Sequence, residues 1–521
     1  MTQLEADLLV IGGGATGAGV AWDASLRGYR TILVDRADLA EGTSGRFHGL
    51  LHSGGRYAVK DPSAARECIE ENLILRRVAA ATIEDTGGLF VTTPADELSY
   101  GDELLRGCAD TGVPIEEITV AEALRREPRV NPAIRRAFAV PDGSIETWKL
   151  LDALARGITE HGGSVLTYRE VISLRREGDA ITGATLRDTR TGEETEVQAG
   201  FTINASGAWA GRISAMAGVE GVTIVPGRGI MIAMNHRLAN TVVNRCTMPA
   251  DGDILVPIRT VSVIGTTDVE AADPDDLTVV QDEVDQMLHA GEQLVPGLRD
   301  ARALRVWAGV RPLFRDTRAQ GSDRDISRSH VLLDHRERDG LERFITITSG
   351  KLTTFRLMAQ DTVDAMCRQL GDARPCRTQE ESLPGSERGE YYRLGSRLQA
   401  READIGGDPL VCECEMIPRR RLELAMRDKA TVNLDDIRRA LRLGMGPCQG
   451  GFCTFRATGI LHEVGHLDGA TADGALLGFL QERWKGTWPI LHGDQLRQAR
   501  LDDWIYQGLL DVEHLPDWTE T

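Results

Sequence analysis

Lysine is nearly missing from this chain. Only five of its 60 basic residues are lysine, at positions 60, 149, 351, 429 and 485. That bias reads as compositional rather than functional, yet it singles out each lysine present. Aromatic residues are scarce too, at 5% of 521. No uninterrupted apolar run approaches the length of about 18 residues that a transmembrane helix needs, so none is expected. The first residues, Met1 to Asp7, are acidic and lack the basic start of a secretory signal. Positive charge is outweighed overall, with a formal net charge of −19. This argues against duplex nucleic acid and against docking on anionic lipid by charge alone. The expectation is a cytoplasmic chain, peripheral to a membrane only through a partner. Nine cysteines in that setting do not read as a disulfide frame. Cys68, Cys108, Cys246, Cys367 and Cys376 are scattered and read as small buried hydrophobes.

What is present is ample core material, 41% hydrophobic, with 56 glycines. The expectation is a glycine-rich α/β protein of about three packing units. Leu8 to Ile11 has the size of a buried parallel strand. Gly12-x-Gly14-x-x-Gly17 follows, then a helical stretch to Arg27, then the β-branched run Thr31 to Val34, ending in Asp35. In this pattern the first glycine makes a tight turn, the second admits a pyrophosphate, and the third lets helix and strand pack closely. The helix N-terminus offers unpaired N–H groups to phosphates. Asp35 sits where a carboxylate would accept from a ribose hydroxyl. Glycine turns after later strands, at Ser206-Gly207 and Ser349-Gly350, suggest a chain that revisits its cofactor. Such interleaving is typical of tightly held FAD.

Four segments carry a family resemblance. They are Gly42 to Tyr57 (GTSGRFHGLLHSGGRY), Ile264 to Asp268 (IGTTD), Gly309 to Leu313 (GVRPL) and Ser349 to Arg356 (SGKLTTFR). Together they resemble the FAD-dependent glycerol-3-phosphate dehydrogenases. The cysteine-bearing tail narrows this to the large catalytic subunit of the anaerobic respiratory enzyme. The resemblance implies a Rossmann-like FAD-binding domain over 1–80, 145–215 and 345–371, interleaved with an antiparallel-sheet substrate domain over 81–144 and 216–344. A linker at 372–409, a small helical iron–sulfur domain at 410–465 and a helical tail at 466–521 would follow. FAD contacts are implied at Gly12, Gly14, Ala15, Thr16 and Gly17, and at Asp35 and Arg36. They continue at Thr43, Ser44, Gly49, Leu50 and Leu51, at Val171 and Gly207, and at Gly350, Leu352 and Thr353.

Oxidising a secondary alcohol to a ketone needs a hydride acceptor, which a flavin supplies, and a base for the hydroxyl proton. His52 is the first candidate base, because imidazole titrates near neutral pH. The alternative role for His52 is structural, beside the flavin. The resemblance draws attention to Arg311, a poor base that would orient the substrate and steady alkoxide-like charge. A phosphate dianion needs fixed cations and neutral donors. Arg56, Arg311 and Lys351 are the candidate cations, with Tyr57 and Thr267 as donors.

Cys412-x-Cys414 and Cys448-x4-Cys453 lie within 42 positions. Helical stretches are expected between the pairs at 417–427 and at 434–443, the second capped by Asn433. Four thiolates hold zinc or an iron–sulfur cluster. Neither pair has the C-x2-C spacing of a zinc knuckle. The segment resembles ferredoxin domains of the bacterioferritin-associated type, which implies a 2Fe–2S cluster, with zinc or no metal as alternatives. Trp484, Trp488, Trp504 and Trp518 gather near the C-terminus. They would pack a helix on the body or dock partner subunits. The resemblance implies a flavin-containing subunit plus a membrane-anchoring iron–sulfur subunit, with quinone as the eventual acceptor. The expected reaction is oxidation of sn-glycerol 3-phosphate to dihydroxyacetone phosphate. The rival readings are an amino-acid or hydroxy-acid dehydrogenase of the same architecture and a non-catalytic electron-transfer flavoprotein subunit.

Overall fold

The computed structural model describes residues 2–316, 329–403, 407–427 and 433–514. Strand Thr2–Ile11 runs into the glycine turn, helix Ala15–Leu26 and strand Thr31–Val34. These two strands pair in parallel, as β-α-β handedness requires of a crossover helix. Ser164–Leu166 adds in parallel beside Thr31–Val34, and Glu194–Asn204 beside Thr2–Ile11. Phe344–Ser349 then joins Glu194–Asn204 in parallel. Three distant stretches of chain therefore end at the same edge of one sheet. The sheet has eight strands and is buried on both faces. Its central runs are continuous apolar sequence, as parallel strands covered by helices must be.

The second sheet has nine strands, drawn from residues between 88 and 140 and between 222 and 316. All but one of its pairings are antiparallel; Gly88–Thr92 and Val242–Arg245 run in parallel. Its longest ladder joins Val222–Met234 to Ala303–Asp316, with Gly227 opposite Arg311 and Gly229 opposite Gly309. The fold is thus the expected interleaved α/β class. One strand departs from the expected division: His330–Asp334 pairs with Phe344–Ser349 in the first sheet rather than joining the second.

Residues 372–409 are not a free linker. Leu383 is buried in the first core, the Tyr392 N–H donates to the Ile83 carbonyl, and the Arg259 guanidinium lies over the Tyr392 ring. Its polar composition hides three such anchors. Helix Leu394–Ala403 lies within this stretch. Helices Arg419–Met426 and Leu434–Leu441 separate the cysteine pairs, and the Asn433 side chain caps the second by accepting from Asp435 and Asp436. The tail does not stand apart from the cysteine module, because Phe479 of helix Gly469–Trp484 fills the module's core. Trp484 is partly buried, whereas Trp488 and Trp504 are 84% and 75% exposed. Trp518 and Lys429 lie outside the described residues.

A buried fork joins two of the helices that pack beside the first sheet. Arg356, in helix Phe355–Leu370, donates from Nε and Nη2 to the two carboxylate oxygens of Glu71 in helix Pro62–Val78. Both side chains are more than nine-tenths buried. Removing one partner would strand a charge in low dielectric. Glu71→Ala should therefore lose about 3 kcal/mol of stability, read from the urea midpoint of the FAD-loaded chain. A loss under about 1 kcal/mol would show that the fork carries little.

Candidate active site

The cofactor turn is built as the glycine pattern dictates. Gly12 has φ +111°, and a Cβ there would sit 2.6 Å from the Ala205 carbonyl oxygen. A Cβ on Gly17 would meet the Gly12 carbonyl oxygen at 1.9 Å, so helix and turn touch backbone to backbone. Helix Ala15–Leu26 starts at Gly14 without a side-chain cap of its own. Ser44 reaches across to accept from the Ala15 N–H at 2.9 Å. Gly14, Ala15 and Thr16 also line a cleft, so the helix N-terminus faces it, the arrangement that binds phosphates.

Asp35 closes the turn at the end of the second strand. Its carboxylate accepts from the Gly13 N–H at 2.6 Å and the Ala37 N–H at 2.9 Å. Burial nevertheless pushes its pKa up to about 6, against the opposing pull of those two N–H groups. Ribose hydroxyls would supply the further donors that such a carboxylate needs.

A cavity of about 640 Å³ extends from this turn. Most of the expected cofactor residues line it, including Gly14, Asp35, Thr43, Val171, Gly207 and Gly350. Gly17, Gly49 and Leu51 do not. Gly17 is taken up in helix packing, Leu51 is buried in the core, and Gly49 faces a neighbouring cavity. Thr43 is tied down by donating to the Val310 carbonyl at 2.6 Å. Arg36 stacks over the Trp209 ring and donates to Asp275.

Arg56, Arg311 and Lys351, with His52 and Tyr57, line the same cavity. Each cation comes from a separate stretch of chain. Arg56 follows the short strand Leu50–Leu51 and donates to Asp253 at 2.6 Å. Arg311 projects from strand Ala303–Asp316. It donates to Asp268 at 2.6 Å, to the Thr267 carbonyl at 3.0 Å and to the Thr266 hydroxyl. Lys351 follows the last parallel strand, and its ammonium lies 4.9 Å from the centre of the Tyr57 ring. The Tyr57 ring is 5.3 Å from that of His52. The His52 N–H donates to the Thr353 hydroxyl at 3.2 Å, which links the base candidate to the turn after Lys351.

Thr267 is a correction. It is 1% exposed and its hydroxyl donates inward to Glu283 at 2.7 Å while accepting from the Ile230 N–H. The hydroxyl at the cavity is that of Thr266. Sequence reasoning also passed over His48, Asp253 and Asp268. His48 and Asp268 stood inside the quoted segments, whereas Asp253 carried no signal. The His48 Nδ1 accepts from the Leu50 N–H at 3.1 Å, so the neutral ring carries its proton on Nε2. Burial, and then the charges of Arg56 and Arg311, push its pKa down to about 3. His48 is therefore a fixed donor near neutral pH and not a base.

The cysteines converge in two pairs. Cys453 lowers the pKa of the Cys412 thiol and Cys414 that of the Cys448 thiol, so the members of each pair act on one another. Among the described residues, no three or more His, Cys, Asp or Glu side chains form a group that could hold one metal ion. Backbone N–H groups act on the sulfurs: those of Glu415 and Gly444 lower the pKa of Cys412, and those of Gly450, Gly451 and Phe452 lower that of Cys448. The Cys414 thiol first, then those amides, hold Cys448 down at about 6.

The sequence profile described as FAD dependent oxidoreductase matches residues 7–359. The chain belongs to that family. It is an oxidoreductase, and the turn, the helix N-terminus at the cavity and the buried Asp35 all fit FAD. The chain is 44% identical to one subunit of the anaerobic glycerol-3-phosphate dehydrogenase of Escherichia coli K12, over 97% of each chain. It is 41% identical to one subunit of the anaerobic glycerol-3-phosphate dehydrogenase of Haloferax volcanii, over 98% of this chain and 91% of that one. It is thus also a member of the glycerol-3-phosphate dehydrogenase family. Among solved structures, the glycerol-3-phosphate dehydrogenase of Bacillus halodurans in complex with FAD superposes with a TM-score of 0.59 at 21% identity. That match covers 99% of this chain and 89% of the other and supports the shared fold. No helix among the described residues is long and apolar enough to cross a membrane.

A raised Asp35 pKa gives a signed prediction. The group's folded pKa of about 6 lies above its ordinary 3.8. In the FAD-free chain it adds stability below 3.8 and loses that contribution as pH rises through about 6. FAD donors favour the carboxylate, so FAD affinity should fall as pH drops below about 6. Asp35→Asn should hold FAD about 10- to 100-fold more weakly and flatten that pH dependence, as measured by fluorescence of released flavin. Unchanged retention across this range would remove Asp35 from the ribose site.

Proposed function

We propose that this chain oxidises sn-glycerol 3-phosphate to dihydroxyacetone phosphate. We further propose that it passes the electrons through a 2Fe–2S cluster on Cys412, Cys414, Cys448 and Cys453 to partner subunits, and from there to membrane quinone. One observation supports the substrate most: three cations from three parts of the chain line the same cavity as the glycine turn. Two of them are already tethered by carboxylates, which holds their forks in place for an incoming dianion.

FAD supplies the hydride acceptor when bound. Arg56 and Lys351 bind the phosphate arm. Arg311, fixed by Asp268 and Thr266, orients the secondary hydroxyl and steadies negative charge on its oxygen as the proton leaves. His52 takes that proton. His48 is excluded as the acceptor, because its Nδ1 is occupied and the neighbouring guanidiniums oppose a charge on its ring. It stands as a neutral donor beside the reacting group, its ring 6.0 Å from that of His52.

The cysteine spacing, C-x-C and C-x4-C with neither pair a zinc knuckle, supports a binuclear cluster, in which each iron takes two cysteines. A single zinc would need all four at one point. The amides around the sulfurs would stabilise thiolate charge. The relatives are named as single subunits of their enzymes, which supports further subunits here. The exposed Trp488, Trp504 and Leu509 offer a surface for them.

Turnover on a substrate panel tests the reaction. Glycerol 3-phosphate should exceed glycerol, lactate and glycine by at least about 100-fold in kcat/KM, as a phosphate-gripping site requires. Preference for a carboxylate substrate would favour the amino-acid or hydroxy-acid reading instead. Arg311→Lys should slow flavin reduction about 100-fold or more, because a point charge cannot replace the fork. The pH profile of flavin reduction should lose its ionisation in His52→Gln and keep it in His48→Gln.

Metal analysis tests the relay. Protein purified without air should carry two irons per chain, and Cys453→Ser should lose them while glycerol 3-phosphate still reduces the flavin. One zinc and no iron would remove the cluster from the account.

A further inference from the structure

Strand Leu50–Leu51 ends one residue before His52. It pairs Leu50 with Ser144 and Leu51 with Gly143 of strand Gly143–Ile145, and the ladder stops at that rung. Among the described residues His52 itself has no strand partner. Buried side chains hold its backbone instead, and they grip both ends of one peptide bond. The His52 carbonyl accepts from the Asn72 side-chain amide at 2.9 Å, and the Ser53 N–H donates to the Asp142 carboxylate at 2.7 Å. On the other side of His52, its own N–H donates to Thr353.

The two gripping residues are tied to one another. Arg76 lies one turn after Asn72 in helix Pro62–Val78. It donates from Nε to the Asn72 side-chain oxygen at 2.8 Å and from Nη2 to the Asp142 carbonyl at 2.8 Å. The Asp142 carboxylate also accepts from the Asn244 amide at 3.0 Å. The neighbouring strand leaves room for it, because a Cβ on Gly88 would sit 2.6 Å from Asp142 Oδ2. Burial raises the Asp142 pKa in spite of the Ser53 and Asn244 bonds. Asn72 and Asp142 are buried, and neither they nor Arg76 line the FAD cavity. A buried polar set is often no more stable than apolar residues of similar volume. What it supplies is directed bonds to fixed points on the backbone.

We propose that Asn72 and Asp142, tied together by Arg76, are positioning residues for proton transfer: they fix the peptide plane after His52 and with it the reach of the imidazole toward the substrate hydroxyl. Their role rests on His52 taking the substrate proton. A base works only within hydrogen-bond reach of that proton, and a misplacement of about 1 Å can cost about 100-fold in rate. The cations Arg56 and Arg311 have their own tethers, on Asp253 and Asp268. A loosened peptide should therefore slow the chemical step and spare substrate binding.

The test is anaerobic rapid mixing of the FAD-loaded full-length chain with glycerol 3-phosphate, in two backgrounds. Asn72→Asp keeps an acceptor for Arg76 and removes the donor to the His52 carbonyl. It should lower the limiting rate of flavin reduction at least about tenfold, with FAD content unchanged and the half-saturating substrate concentration altered less than about threefold. In a His52→Gln chain the same change should cost less than about twofold, because the group it positions has gone. Asp142→Asn exchanges the charged acceptor of the Ser53 N–H for a neutral one. It should slow the step at least about threefold in the parent and less than about twofold beside His52→Gln. If Asn72→Asp loses FAD, Asp142→Asn decides. Equal losses in the two backgrounds, or loss of FAD by both variants, would mark a merely structural role and overturn the proposal. Variants that reduce flavin at the full rate, or that lose substrate affinity at an unchanged limiting rate, would overturn it too. Each of these outcomes leaves His52 as the base when His52→Gln alone is slow. A His52→Gln chain that reduces flavin at the parent rate removes His52 as the base, and the positioning role with it.

Discussion

Charges confined beside a cofactor groove must be held in place or they will be lost to water. The cleft of this protein meets that constraint by tethering guanidiniums to carboxylates just outside the reacting space. Arg56 leans on Asp253 and Arg311 on Asp268, both at 2.6 Å. A tethered guanidinium keeps donors to spare, so it can still grip a dianion. Burial first, and then the same charges, disfavour protonation of His48. In the proposed reaction, substrate choice and the placing of the reacting hydroxyl depend on this one electrostatic arrangement.

The interleaved chain is what makes the arrangement possible. Parallel strands Thr2–Ile11, Glu194–Asn204 and Phe344–Ser349 end at a common edge, so the turns after them converge. The first carries the phosphate turn and the last carries Lys351. The antiparallel sheet approaches from the other side and delivers Arg311 through the long ladder with Val222–Met234. The buried Arg356–Glu71 fork joins the helix after Lys351 to the helix after Arg56. Both ends of the cationic cup are thus mounted on one rigid connection.

Local spacing made part of this legible in the sequence. Gly12, Gly14, Gly17 and Asp35 fall in one short unit whose geometry follows from strand, turn and helix, and the cysteine pairs announce themselves by their own separations. The three cations were marked by the segments around them. What stayed hidden depends on contacts across the chain. Thr267 and Thr266 are neighbours, and only the position of Glu283 on a helix beyond them decides which hydroxyl turns inward. Asp253 carries no motif and matters through Arg56 alone. The polar stretch after residue 372 reads as linker because its three anchoring contacts are spread thinly.

The central claim is that the cationic cup presents a phosphorylated alcohol to FAD. Anaerobic rapid mixing of the FAD-loaded chain with glycerol 3-phosphate addresses it without partners or quinone. The account predicts loss of the oxidised flavin absorption in a single turnover, with a rate that saturates in substrate. Flavin that stays oxidised at saturating glycerol 3-phosphate, in protein that dithionite still bleaches, would contradict it.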